Sequence, residues 1–177
     1  MKDVMVDIET LSTRHDAWII AIGACAFDLN TGEIASDRLR LVIAGASIPK
    51  DRHVSPDTVA WWAEQDDDLV RDLFEPADGG VDYGEALDRL AQYLRRKRVW
   101  AKPPQFDLVI LRNAYRAADR PCPWHYRDER CARTLMHLGK SMQLPRPDPP
   151  TVKHDPLADA IAQAQAVCTV WQAVVGG

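Results

Sequence analysis

The first apolar run of the chain, Val4-Met5-Val6, passes into Asp7-Ile8-Glu9-Thr10 without losing the pattern of a buried strand, although carboxylates now occupy every second position. Side chains in a strand alternate between faces, so Asp7 and Glu9 are expected on the same one. A second apolar run covers Trp18 to Phe27. The turn residues Asn30-Thr31-Gly32 follow, and a third run lies around Leu39-Arg40-Leu41-Val42-Ile43. Short runs separated by turn chemistry predict a three-stranded antiparallel meander. The period then changes. Ser55-Pro56-Asp57 places a capping residue before a proline and opens a helix through Trp61 and Trp62. Asp82 with Glu85 predicts a second helix, with Tyr83, Leu87, Leu90, Ala91 and Leu94 on one face and the cations Arg95 to Arg98 at its end, where they complement the helix dipole. Val99-Trp100-Ala101 reads as a short strand. After the stiff Lys102-Pro103-Pro104-Gln105 loop, helical periodicity runs from Phe106 to Tyr115 with Asp107 in the first turn. A further helix is expected over Asp128 to Leu138, then an irregular proline-rich loop over Leu144 to Pro150. The last helix starts at Asp155-Pro156 and turns Leu157, Ile161, Ala164, Cys168, Trp171 and Val175 to the core.

At 177 residues the chain fits one domain, 1–177, with enough length for a substantial core. No apolar leader and no run approaching a membrane span of about 20 residues is present, which gives no membrane partner and a cytoplasmic expectation. Cys25, Cys122, Cys131 and Cys168 form no Cys-x-x-Cys pair, so neither a zinc knuckle nor a disulfide framework is suggested. The net charge of −4 argues against holding long nucleic acid on a broad basic surface; such a partner would have to be gripped locally.

Paired carboxylates at the edge of a core repel each other and lose hydration, an arrangement that a divalent cation relieves. Each candidate also has an ordinary reading. Asp7 and Glu9 can mark a strand running out into solvent, and Asp107 can serve only the helix dipole. His154 precedes the cap Asp155 and Asp159 is the fourth helical residue, the two positions that meet in a hydrophobic staple; as a polar pair they can share a cleft or a surface hydrogen bond. Trp61 and Trp62 point about 100° apart on their helix, so only one can sit fully in the core, and an exposed ring beside an acidic cleft can stack on a nucleobase or serve as packing.

Taken together, Asp7-Ile8-Glu9-Thr10, Phe106-Asp107 and His154-Asp155-Pro156-Leu157-Ala158-Asp159 resemble the three motifs of the DEDD superfamily of 3′-to-5′ exonucleases, in the DEDDh (DnaQ-like) branch with a histidine in the third motif. The order and spacing span almost the whole chain. Thr58 to Gln65, with its double tryptophan, is similar to the exonuclease-VIII-like and RNase-AS-like subgroup. The resemblance implies an α/β, RNase-H-like fold, a mixed five-stranded sheet flanked by helices with the acids gathered at the carboxyl end of strand one. It implies two Mg²⁺ ions, replaceable by Mn²⁺, on Asp7, Glu9, Asp107 and Asp159, hard oxygen ligands of the kind such ions prefer. His154 would be the general base, and Thr10, Leu11, Trp62 and Gln65 would meet the substrate, a single-stranded 3′ end of RNA or DNA. Relatives of this kind are often homodimers. Pro103 and Pro104 depart from the small or amide residues more usual in that loop. Two other classes remain open on the residues: a catalytically idle module that recognises ends or a protein, and a metal-dependent phosphatase for small nucleotides.

Overall fold

The computed structural model describes residues 1–150 and 152–176 and is built on strand β1 (Asp3–Thr10), the centre of a five-stranded sheet. β2 (Ile19–Phe27) and β3 (Ile34–Val42) continue from it as the expected antiparallel meander, β1 pairing Asp7 with Gly23 and Glu9 with Ala21. β4 (Arg98–Ala101) lies parallel to β1 on its other side, with Asp3 opposite Arg98 and Met5 opposite Trp100. β5 (Glu129–Cys131) pairs in parallel with β4 and completes the order β3-β2-β1-β4-β5. Parallel strands need crossovers, and helices supply them.

Between β3 and β4 lie α1 (Pro56–Trp62), α2 (Asp67–Phe74) and α3 (Tyr83–Leu94); α4 (Asp107–Ala117) joins β4 to β5; α5 (Ala132–Ser141) and α6 (Pro156–Val175) follow. The alternation of β1 divides the core. Val4, Val6 and Ile8 pack with Leu87, Leu90, Leu108 and Leu111 of α3 and α4 on one face. Met5 packs with Cys25, Phe27 and Trp100 against Ala160, Ala164 and Val167 of α6 on the other. Asp7 and Glu9 share the face of Met5, so the strand period itself aims both acids at the α6 side.

The structure differs from expectation in two elements. Asp128 does not open a helix: Glu129–Cys131 is the fifth strand and α5 begins only at Ala132. Three residues without an apolar alternation carry no strand signal, and the pairing with Val99–Ala101 decides the matter. Helix α2, capped by Asp66 accepting the N–H groups of Asp68 and Leu69, was also not anticipated. The basic run lies beyond the end of α3 at Leu94, and Arg98 belongs to β4, where it pairs with Asp3. Among the described residues no helix is long and apolar enough to cross a membrane.

Candidate active site

β4 ends at Ala101, four residues short of the point that β1 reaches in the same direction, and the parallel ladder between them stops at Met5. Past that point the Ile8 N–H is taken by the Asp107 carboxylate at 3.1 Å. Asp107 is only 3% exposed, in the first turn of α4, so the backbone of β1 fixes one of its oxygens. Its distance of 99 residues from Ile8 along the chain is bridged by the crossover between β1 and β4.

The other side of the cluster comes from α6. Gly23, directly opposite Asp7, lies under Pro156: a Cβ there would fall 2.1 Å from the Pro156 carbonyl group. Only a residue without one lets the first turn of α6 rest on β2. Asp155 caps that turn by accepting the Ala158 N–H at 2.8 Å, and its second oxygen takes the Arg40 Nε–H at 2.6 Å. Asp159 accepts the backbone N–H of His154 at 2.9 Å. His154 has φ 63°, a left-handed conformation that costs a residue with a Cβ about 1–3 kcal/mol and that this hydrogen bond helps retain. One ligand atom each from Glu9, His154 and Asp159 lies within 4.8 Å of the others. Asp7, on the same face of β1 as Glu9, receives the Gln163 Nε2–H at 2.7 Å.

The electrostatics follow from this crowding. The Glu9 carboxyl is pushed up to about 10, first by burial and then by Asp7, Asp159 and Asp107. Burial, then the Asp107 charge, raises Asp7, and Gln163 opposes the shift; burial also raises Asp107 and Asp159 against the backbone N–H groups each accepts. Acids held this far above their ordinary range hold protons that a divalent cation displaces. The donor set consists of carboxylates with one imidazole, the hard oxygen chemistry of Mg²⁺ or Mn²⁺, and among the described residues the buried Gln163 Oε1 has no partner. The residues present therefore fit a divalent metal.

Of the expected substrate contacts, Thr10 lines a cavity of about 430 Å³ beside Glu9, with Ile8, Ser55, Trp61 and Phe106 around it. Leu11 and Gln65 are not in that lining. Leu11 is half-buried against the cluster of Ile20, Trp62 and Leu73, and the Gln65 amide donates to the Trp61 carbonyl at 2.8 Å. Trp62 also lines this cavity, but it is 3% exposed, packs on Ile20, Val42 and Leu69, and donates its ring N–H to the Thr10 carbonyl at 2.9 Å. Docking of α1 against β2 and α2 leaves Trp61 as the open ring, 40% exposed, in a T-shaped contact with the His154 imidazole with centroids 4.9 Å apart. Gln163 was missed by sequence reasoning; the signal available was its position one turn after Asp159 on α6.

A family model described as the 3′-5′ exoribonuclease Rv2179c-like domain matches residues 2–171. An exodeoxyribonuclease of enterobacteria phage T4 is 24% identical over 172 residues, covering 80% of this chain and 75% of the relative. Among solved structures, E. coli exonuclease I in complex with a dT13 oligonucleotide superposes with TM-score 0.69 at 12% identity, and exonuclease I of Methylocaldum szegediense with 0.70 at 15%; each likeness covers 98% of this chain and 41% of that one. The chain thus spans about two fifths of those enzymes, and the likeness shows the expected RNase-H-like fold. By the match over nearly its whole length, the chain belongs to the 3′-5′ exoribonuclease Rv2179c-like domain family, within the DEDD superfamily of 3′-5′ exonucleases, hydrolases of phosphodiester bonds.

Proposed function

We propose that this domain shortens single-stranded RNA or DNA from the 3′ end, hydrolysing the last phosphodiester bond and releasing nucleoside 5′-monophosphates. The observation that carries the reading is the convergence of Asp7 and Glu9 from β1, Asp107 from α4 and Asp159 from α6, with His154 beside them, at the end of one strand. Asp7, Glu9, Asp107 and Asp159 would hold two Mg²⁺ ions, with Mn²⁺ able to substitute. Such a pair, when bound, lowers the pKa of an attacking water and stabilises both the entering and the leaving oxygen of an in-line displacement.

The chain's own groups do the rest. His154, held by its backbone to Asp159 and by a T-shaped ring contact to Trp61, takes the proton of the attacking water at a ring nitrogen. Glu9, at the mouth of the cavity that Thr10 and Trp61 line, is placed to hold the terminal nucleotide at its 3′-hydroxyl. Trp61, rather than Trp62, offers a ring face to the terminal base. The phage relative and the oligonucleotide-bound exonuclease I are named for DNA and the family for RNA, so both sugars belong in the test.

The test is an oligonucleotide assay with Mg²⁺ on RNA and DNA strands with free and phosphate-blocked 3′ ends and on circular single strands. Stepwise shortening of the free ends alone is expected. Asp7→Ala should abolish it while leaving the melting transition cooperative, and His154→Ala should slow it about a hundredfold or more. Cleavage of circles as fast as of linear strands would contradict the exonuclease reading.

A further inference from the structure

The acid cluster has a second open flank. Besides the cavity of Glu9 and Thr10 there is a groove of about 380 Å³ that reaches Asp159 and Gln163 and is lined by α5, α6 and the proline-rich segment 144–150. Its two walls differ in chemistry. On α5, Arg133, His137 and Lys140 recur at i, i+4 and i+7 and so share one face; Arg146 joins them from the loop and Lys102 from the end of β4. On α6 the lining around Gln163 is Ala162, Ala166 and Val170, small and uncharged, with Leu144, Pro145 and Pro147 closing the side and Asp148 of the same loop as a carboxylate in it.

Lys102, Arg133, Lys140 and Arg146 are all exposed, and among the described residues none takes part in an ion pair. A basic helix face by itself is usually just solvated. Here the cations come from three separate segments to the rim of one cavity, in a chain whose net charge is −4. Gln163, 5% exposed and with its buried Oε1 unpartnered among the described residues, stands where the groove meets the acids. An anionic polymer fits this arrangement: phosphates against the cationic wall, apolar faces against Ala162, Ala166 and Val170.

We propose that this groove holds the strand upstream of the scissile bond, with successive phosphates on Lys102, Arg133, Lys140 and Arg146; the assignment rests on the exonuclease reading above. Arg133 and Lys140 stand about 10 Å apart along α5, so the cationic wall extends along the helix. Contacts made by cations to phosphates position a strand without reading its sequence, so the groove tolerates any sequence. The remote contacts act in binding rather than in the chemical step and should appear in KM with kcat little changed.

The test compares the wild type with Lys140→Gln/Arg146→Gln, two exposed positions away from the acids, on a dinucleotide and on a single strand of about ten nucleotides. The dinucleotide should be turned over within about twofold of wild type, which also reports an intact fold; the longer strand should lose about tenfold in kcat/KM, and its salt dependence should become shallower by about 1.4 in log-log slope, for two phosphate contacts at ~0.7 each. Equal losses on both lengths, or none on the longer strand, would overturn the groove while leaving the exonuclease reading in place. Failure of the wild type to cleave either length would overturn the exonuclease reading, and the groove with it.

Discussion

Glu9 states the chemistry of the site in one residue. It stands in a strand, beside the core, with three other carboxylates near it, and its carboxyl is pushed up to about 10. The sign of the consequence is fixed. Between its ordinary 4.5 and about 10 the folded protein keeps a proton that the unfolded chain has lost, so without metal Glu9 makes stability fall as pH rises through that window. Melting in a chelator should therefore drop between about pH 5.5 and about pH 8.5 more steeply for the wild type than for Glu9→Gln, and saturating Mg²⁺ should remove the difference by displacing the proton. The same slope in both proteins would contradict the burial of this charge. Residues of this kind were legible in the sequence because their positions are local facts: alternation for Asp7 and Glu9, first-turn placement for Asp107, the cap at Asp155 for His154 and Asp159. The choice between Trp61 and Trp62 was not, since it depends on how α1 is rolled against Ile20 and Leu69, a tertiary fact. Gln163 stayed hidden for the same reason, being one polar residue on a helix whose orientation only packing defines.

At the scale of elements, the site depends on the seating of α6. Its first turn carries His154, Asp155 and Asp159 and rests on Gly23, while Arg40 of β3 ties Asp155 to the sheet and also pairs with Asp72 of α2. Gly23→Ala should lift that turn off β2, because backbone rather than a flexible side chain meets the added Cβ. A displacement of about 1 Å at the site can cost about a hundredfold in rate, so activity should fall by that order with a lower melting temperature, and α6 should be shifted in a crystal structure of the variant. Full activity in Gly23→Ala would show that the close approach is not what places Asp159. The elements themselves were read unevenly. The meander, α3 and α6 announced themselves through turns, caps and apolar periods, whereas β5 is three residues, Glu-Arg-Cys, that become a strand only because β4 offers them an edge.

For the whole molecule, the sheet order places the carboxyl ends of β1 and β4 side by side, and the topology delivers acids from β1, α4 and α6 to that one edge. On the proposed reading, a chain of net charge −4 would hold a polyanionic strand there by divalent cations and a few placed basic side chains instead of by a basic surface. The most direct measurement is anomalous diffraction from crystals soaked in Mn²⁺. Two peaks about 3.5–4 Å apart, bounded by Asp7, Glu9, Asp107 and Asp159, are the expected result. An empty cluster, with those carboxylates turned away from one another at saturating manganese, would contradict the account.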